Sequence, residues 1–380
     1  MLELPPLTLY VHIPWCVRKC PYCDFNSHEP GGEVPEEAYL GALLADLTTE
    51  LDDVQGRRLA AIFIGGGTPS LFSPRGIAAI LDGAERLIGF DPDIEITLEA
   101  NPGTLEQGRF AGYRAAGINR LSIGVQSFDN RQLHQLGRIH DRAAAIAAIH
   151  AARAAGFANL NLDLMHGLPG QTPDEALADL RLACDLDPTH LSWYQLTIEP
   201  NTVFHKRPPT LPDEEVLGAI QDAGEEHLTA AGLRPYEVSA WTRPGHESRH
   251  NLNYWRFGDY LGIGAGAHGK VTRPGEGRIL RTSKTRAPAD YLARDGDWRA
   301  SRQAVAADEL PFEFMMNALR LVEGVEPALY LARTGLDFAP LAPRWRTLRD
   351  RGLVSDPAER LATTALGLRY LNSVLAALDD

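Results

Sequence analysis

Short apolar runs alternate with longer amphipathic stretches over the first two thirds of the chain. The runs at residues 8–13, 59–64, 95–99, 120–125, 160–165 and 191–198 predict strands. The stretches at residues 36–54, 73–88, 104–116, 142–155, 172–185 and 213–231 predict helices. Strand–helix alternation at this spacing indicates a parallel sheet with right-handed crossovers. Six such units predict an α/β fold, a partial or complete parallel β/α barrel.

Polar residues are concentrated where these predicted strands end. Because strand ends converge on one face of a β/α barrel, we expect one shared cavity there. The strand-end residues are His12 and the cysteines that follow it, Gly65 to Pro69, Glu99 and Asn101, Gln126 to Phe128, Asp163 and His166 to Pro169, and Glu199 to Asn201.

The pattern changes after the barrel region. Residues 237–300 are rich in Gly and aromatic residues and predict an irregular segment with short strands. Helical periodicity returns at residues 312–322, 327–333, 341–351 and 361–378, which predicts a small helical or winged-helix-like domain. We therefore divide the chain into a barrel at 1–236, an irregular segment at 237–300 and a C-terminal domain at 301–380.

Composition narrows the functional classes. A net charge of −13 disfavours nucleic acid as a partner, since no basic run is available to neutralise phosphates. The first residues of the sequence do not have the basic and apolar stretches of a signal peptide. No apolar run reaches the roughly twenty residues of a transmembrane segment. We expect a cytoplasmic protein. Three of the four cysteines lie within one short stretch, which indicates metal binding rather than disulfides.

The clustered cysteines are Cys16, Cys20 and Cys23, in a loop directly after the first predicted strand. Thiolates are the usual iron–sulfur ligands, and four saturate a cubane. Cys184 lies in a helix far along the chain. Three thiolates therefore leave one iron of a [4Fe–4S] cluster with an open position, as catalytic metal sites do.

Structural zinc is the main alternative at this loop. His12 or His28 would then be the fourth ligand of a Cys₃His site. Zinc ligands usually come as two separated pairs, which this spacing lacks. A c-type haem attachment does not fit, because Asp24 rather than His follows the third cysteine.

The segment Tyr10-Val-His-Ile-Pro-Trp-Cys16, followed by Cys20-Pro-Tyr-Cys23, resembles the radical SAM superfamily. Within it, the chain is similar to the coproporphyrinogen III oxidase-like branch and most of all to the haem chaperones of the HemW type. The similarity continues through residues 65–70, 99–103, 122–128 and 163–169. It implies a [4Fe–4S] cluster on the three cysteines, with S-adenosylmethionine on the open iron.

The resemblance also implies which residues hold S-adenosylmethionine. Gly66 and Gly67 would offer backbone carbonyls, although glycines here also suit a tight turn. Glu99 suits a ribose hydroxyl or the ammonium group, and Arg138 suits the carboxylate. The complete implied set is Tyr10, Gly66, Gly67, Thr68, Glu99, Gln126, Arg138 and Asp163.

Phe25 marks a departure from the oxidase. The oxygen-independent oxidase that the chain resembles carries a further cysteine two positions after the third, and an N-terminal extension before its cluster. In this chain Phe25 stands at that position, and only a short segment precedes Cys16. We expect a chaperone that binds haem as cargo and passes it to an unknown acceptor protein. An oxidase-like radical SAM enzyme of porphyrin biosynthesis remains the alternative, so enzymatic activity stays open.

A haem ligand candidate lies in the irregular segment. His250 precedes Tyr254 and Trp255 in a stretch that resembles the His-Asn-x-x-Tyr-Trp signature of the haem chaperones. A neutral imidazole is a usual haem iron ligand. The alternative is a buried loop whose His is hydrogen-bonded and whose aromatics cover the barrel. The glycine-rich run at 262–269 lacks the ending of a phosphate loop and predicts close backbone packing.

Overall fold

The computed structural model describes residues 1–379, apart from the side chains of residues 104 and 105. The last position of the predicted 301–380 domain lies outside the described residues. Within them, one sheet contains twelve strands. The strands are β1 Leu7–Ile13, β2 Leu59–Gly66, β3 Phe90–Ala100, β4 Arg120–Gln126, β5 Asn159–His166, β6 His190–Gln195, β7 Arg234–Glu237, β8 Ala240–Thr242, β9 Asp259–Ile263, β10 His268–Arg273, β11 Arg278–Lys284 and β12 Arg299–Ala304.

The sheet is a partial barrel. Its order is β12-β11-β10-β9-β1-β2-β3-β4-β5-β6-β8-β7, and the central strands from β9 through β6 are parallel. Antiparallel strands extend both sides. The two outer strands do not pair with each other, so the sheet stays open. The predicted α/β barrel is confirmed in its partial form.

Helices cover the outer face and form the C-terminal region. They are α1 Glu36–Thr49, α2 Leu51–Val54, α3 Pro74–Leu87, α4 Thr104–Gln107, α5 Phe110–Ala115, α6 Asn130–Gln135, α7 Arg142–Ala154, α8 Pro173–Asp185, α9 Val203–Lys206, α10 Glu214–Ala230, α11 Arg249–Trp255, α12 Pro288–Leu292, α13 Leu310–Ala318, α14 Pro327–Thr334, α15 Ala342–Asp350, α16 Ala365–Arg369 and α17 Leu371–Asp379.

Side-chain caps fix several helix starts. The Ser73 hydroxyl accepts from the Gly76 N–H at 3.0 Å at the start of α3. Thr172 and Glu175 form a reciprocal capping box at the start of α8. The helix predicted at 36–54 is divided at Glu50, and the one predicted at 104–116 is divided between α4 and α5. The short helix α6 was not predicted.

At residues 237–300, where the composition predicts an irregular segment with short strands, the structure has strands that belong to the main sheet. Strand β9 pairs in parallel with β1, and β10 to β12 continue the sheet. Glycine allows the backbones of β9 and β10 to approach closely, because a Cβ on Gly262 would lie 1.9 Å from the His268 carbonyl oxygen. The glycine-rich run therefore packs closely, as predicted. The divisions at 236 and 300 stay predictions.

Among the described residues, three apolar cores support the site. The larger of the two main cores lies between the sheet and its helices, and the other joins α13 to α17 around Phe314 and Trp345. A small third core lies at the carboxyl ends of β5 and β6. A buried ion network ties β9 and β10 to the barrel. Asp259 accepts from Lys270 Nζ at 3.0 Å and from Arg57 Nη1 at 2.8 Å.

Candidate cluster and cofactor site

The carboxyl ends of β1 to β6 surround a cavity of about 490 Å³, here called the larger cavity. All three clustered cysteines line it, together with seven of the eight residues predicted to hold S-adenosylmethionine. These seven residues are Gly66, Gly67, Thr68, Glu99, Gln126, Arg138 and Asp163. The convergence predicted from the strand ends is therefore present in the structure.

The cysteine loop is fixed by its own backbone and by one lysine. The Cys16 N–H donates to the His28 carbonyl oxygen at 3.0 Å, which joins the two ends of the loop. The Cys23 N–H donates to the Cys20 carbonyl oxygen at 3.2 Å. Lys19 Nζ donates to the carbonyl oxygens of Phe25 and Ser27 at 3.0 and 3.2 Å. The three thiols are thus presented from a closed turn.

His12 is hydrogen-bonded to the backbone at the end of the cysteine loop. Its Nε2 lies 2.8 Å from the Asn26 carbonyl oxygen, which only accepts, so Nε2 carries the proton. Its Nδ1 accepts from the Tyr10 hydroxyl at 2.9 Å. Burial lowers the pKa of His12 to about 4, so the ring is neutral. Both nitrogens are engaged, which leaves His12 no lone pair for a metal. Nε2 of His28, the other zinc-ligand candidate, lies 3.2 Å from Asn26 Oδ1.

The donor set fits an iron–sulfur cubane. Cys16, Cys20 and Cys23 are free and partly exposed, and burial raises the pKa of the Cys16 and Cys23 thiols. In the described part of the chain, no three His, Cys, Asp or Glu side chains form a group that could hold a single metal ion. A cubane does not require such convergence, because each thiolate binds a different iron. Cys184 lies on α8 and does not line the cavity.

The glycines at the end of β2 allow the cysteine loop to approach. The Gly67 N–H donates to the Ile13 carbonyl oxygen at 2.7 Å. A Cβ on Gly67 would lie 2.5 Å from the Trp15 carbonyl oxygen, and one on Gly66 would lie 2.6 Å from the His12 ring. Gly66 also has φ +115°, which favours glycine. These glycines therefore have a packing role, whatever ligand they contact.

Two carboxyl groups lie on one side of the cavity. Glu99 accepts from the Gly66 N–H at 3.1 Å. Burial and the neighbouring Asp163 raise the pKa of Glu99 to about 8. Asp163 accepts from the Ser122 hydroxyl at 3.0 Å and from Asn161 Nδ2 at 2.8 Å, and burial raises its pKa also. Neither carboxylate forms an ion pair with a described residue, so a cationic ligand would be favoured here.

Arg138 spans the space between the cysteine loop and the strand ends. Its Nη1 lies 3.5 Å from Cys20 Sγ, while Nη2 donates to Asn101 Oδ1 at 2.5 Å and to the Gly124 carbonyl oxygen at 2.8 Å. Asn101 Nδ2 in turn donates to the Thr68 hydroxyl at 2.9 Å. The predicted ligand-binding residues Arg138 and Thr68 are therefore joined through Asn101.

Sequence reasoning did not assign a role to two residues of this site. Asn101 was among the predicted strand-end residues but was not predicted to contact S-adenosylmethionine. Tyr194 lies on β6, and its hydroxyl donates to Gln126 Oε1 at 2.8 Å. Gln126 itself has φ +69°, an unfavourable value for a residue with a side chain. Strain of this kind occurs mostly at functional sites.

Two predicted residues lie outside the larger cavity. Tyr10 lines a neighbouring cavity of about 370 Å³, here called the smaller cavity. His250 is 3% exposed and lines neither cavity. Its ring centroid lies 5.3 Å from that of Phe63 and 4.9 Å from that of Tyr254. Its Nδ1 has no hydrogen-bond partner among the described residues, and burial lowers its pKa to about 3. Its role as a haem ligand stays a prediction.

Comparison with known proteins agrees with this geometry. The sequence model of the Radical SAM superfamily matches residues 10–183, and that of the HemN C-terminal domain matches residues 305–370. The chain is 52% identical to Heme chaperone HemW of Escherichia coli (strain K12), over 99% of this chain and 98% of that protein. This chain belongs to the HemW family. The Heme chaperone HemW of Haemophilus influenzae is 50% identical, again over 99% and 98% of the two chains.

Structural comparison supports the fold of this HemW-family protein. Coproporphyrinogen III oxidase (HemN) from Escherichia coli has a TM-score of 0.83 and 24% identity, over 99% of this chain and 90% of that one. The match shows a shared fold. Membership of the radical SAM superfamily implies a [4Fe–4S] cluster and S-adenosylmethionine. Across residues 1–379, the helices are too short or too polar to cross a membrane.

Proposed function

We propose that this HemW-family protein binds haem and delivers it to an acceptor protein. The observation that carries the proposal is the similarity to Heme chaperone HemW along 99% of the chain. Cys16, Cys20 and Cys23 hold a [4Fe–4S] cluster, and S-adenosylmethionine occupies the larger cavity. Three unbridged cysteines in one loop support a reducing compartment, which we take to be the cytoplasm.

The residues of the larger cavity have distinct tasks in this proposal. When bound, the cluster supplies an open iron that chelates the amino and carboxylate groups of S-adenosylmethionine. Arg138 offsets the negative charge of the Cys20 thiolate and offers a guanidinium to the carboxylate. Glu99 and Asp163 face the cationic groups, and Thr68 is oriented by Asn101.

The alternative function is oxidation of a porphyrinogen. The fold that this chain shares with HemN is compatible with this alternative. Phe25 argues against it. Its ring is 59% exposed and lines the larger cavity, at the position where the resemblance places a further cysteine in the oxidase. Radical chemistry requires a cavity that excludes water, and an exposed ring on the cluster loop does not close one.

A transfer assay tests the proposal. The protein, reconstituted anaerobically with iron, sulfide and S-adenosylmethionine, is loaded with haem and mixed with an apo b-type cytochrome, with apomyoglobin as the scavenger of free haem. We expect haem to reach the cytochrome faster than spontaneous release reaches apomyoglobin. A parallel sample receives coproporphyrinogen III. Substrate-dependent S-adenosylmethionine cleavage with vinyl products, and no haem transfer, would replace the chaperone with the oxidase.

A further inference from the structure

The smaller cavity lies between the cysteine loop and the glycine-rich run. Its walls include Tyr10, Phe25, Tyr254, His268 and Arg286. It adjoins the larger cavity, with which it shares four residues. The shared residues are Asp24, Phe25, Gly66 and Glu99. A ligand here would therefore lie directly beside the cluster loop without occupying the S-adenosylmethionine cavity.

His268 is the accessible imidazole of this cavity. It is the first residue of β10, its side chain is exposed, and it forms no side-chain hydrogen bond with a described residue. Burial of part of the ring, with Arg286 and Arg281 nearby, lowers its pKa, so the ring is neutral at neutral pH and has a free lone pair. Both nitrogens of His12 are hydrogen-bonded, and His250 lines neither cavity. Neither residue therefore offers a free imidazole lone pair to a ligand in the smaller cavity.

Arg286 supplies a free cation at the same cavity. Its side chain is exposed and forms no ion pair within the described residues. Its backbone is fixed, because Asn26 Nδ2 donates to the Arg286 carbonyl oxygen at 2.8 Å. A guanidinium pairs well with carboxylates. The acids Asp24 and Glu99 lie on the wall shared with the larger cavity, so a ligand's carboxylates would be placed toward Arg286.

The remaining walls are aromatic. Phe25 is 59% exposed, and Tyr254, which also lines the cavity, lies on α11. A flat apolar ligand would cover the Phe25 ring and gain its burial. The cavity thus combines a neutral imidazole, an unpaired guanidinium and an exposed ring.

We infer that the smaller cavity is the haem site, with His268 as a ligand of the iron and Arg286 as the partner of a propionate. The inference rests on the proposed function, because it assumes that haem is the cargo. It explains why Phe25 is exposed on the cluster loop. It also places the haem where loading of the cluster affects it, since Asn26 Nδ2 joins that loop to the Ala265 carbonyl oxygen at 2.8 Å.

Haem titration of four full-length variants tests the inference. His268→Ala removes the imidazole, and His150→Ala, at an exposed histidine on α7, is its control. Arg286→Glu reverses the cation, and Arg294→Glu, also exposed, is its control. We expect His268→Ala to weaken haem binding about tenfold or more and to change the axial-ligand signature in magnetic circular dichroism. Both controls are expected to bind haem as the wild type does.

The propionate contact is tested with haem dimethyl ester, which has no free carboxylates. We expect Arg286→Glu to weaken binding of haem about tenfold and to leave binding of the dimethyl ester unchanged. Equal haem affinity and an equal spectrum for the wild type and His268→Ala would overturn the inference and leave the proposed function standing. A wild type that binds no haem would overturn both.

Discussion

The guanidinium of Arg138 lies 3.5 Å from the thiol of Cys20, measured from Nη1 to Sγ. The two residues are far apart in the sequence, and the fold joins them because the turn after α6 reaches the cysteine loop: a Cβ on Gly137 would lie 2.8 Å from Cδ of Pro21. The contact connects a proposed cluster ligand to the strand-end residue Asn101. It therefore links the proposed cluster site to the strand ends that line the larger cavity.

Replacement of Arg138 by alanine is expected to weaken S-adenosylmethionine binding by about 10- to 150-fold, because a charge-assisted contact worth roughly 1.5–3 kcal/mol is lost. Arg138→Lys keeps the positive charge but not the bidentate geometry of the guanidinium. We therefore expect its affinity for S-adenosylmethionine to lie between those of the wild type and Arg138→Ala. The measurement is a titration of the reconstituted cluster followed by electron paramagnetic resonance. Arg131→Ala, at a half-exposed surface pair with Glu175, is the control. Unchanged affinity in Arg138→Ala would remove this residue from the site.

Substitution of any one of Cys16, Cys20 or Cys23 by serine is expected to abolish a stable [4Fe–4S] cluster, since two thiolates remain for a cubane. Cys184→Ser is the matched control, because Cys184 packs at the larger core away from the cavity. Iron and sulfide content after anaerobic reconstitution is the measurement. Loss of the cluster in the Cys184 variant, or its retention in the other three, would contradict the assignment.

In the cluster-free and cofactor-free protein, Glu99 is expected to contribute stability that is lost as pH rises from about 4.5 to about 8. Its folded-state pKa is about 8, above the ordinary value of 4.5, so this side chain holds an additional proton in the folded chain over this interval. Buried histidines act in the opposite sense, because burial lowers the pKa of a group such as His12 to about 4. We therefore compare the wild type with Glu99→Gln by urea unfolding at several pH values, and expect the free energy of unfolding of the wild type, relative to that of the variant, to decrease as pH rises. A difference between the two proteins that does not change with pH would refute this role of Glu99.

Asp259→Asn is expected to destabilise the fold by about 3–5 kcal/mol, because it leaves the buried Lys270 ammonium without its partner. The effect is measured as the free energy of unfolding in denaturant. Asp222→Asn removes a half-exposed pair with Arg369 and should cost less than about 1 kcal/mol. Similar losses for the two variants would show that the buried network does not join β9 to the barrel as described.

The six parallel strands could be predicted because short apolar runs alternate regularly with longer amphipathic stretches, some of which begin at a capping residue such as Ser73 or Thr172. The sequence predicted the convergence of Cys16, Glu99 and Asp163 because strand ends of a β/α barrel share one face. Short strands were predicted at residues 237–300, but their place in the main sheet was not, because glycines such as Gly262 serve close strand pairing there rather than a loop. The smaller cavity was not predicted because His268 and Phe25, which both line it, are far apart in the sequence. They are brought to the same cavity by the pairing of β9 with β1.

Haem binding by this protein is tested most directly by a haem titration of the anaerobically reconstituted wild type, followed by the Soret band. We expect saturation at one haem per chain, with a spectrum typical of an imidazole-ligated iron. Absence of saturable binding, in protein that carries its full cluster, would contradict the proposal that this member of the HemW family carries haem.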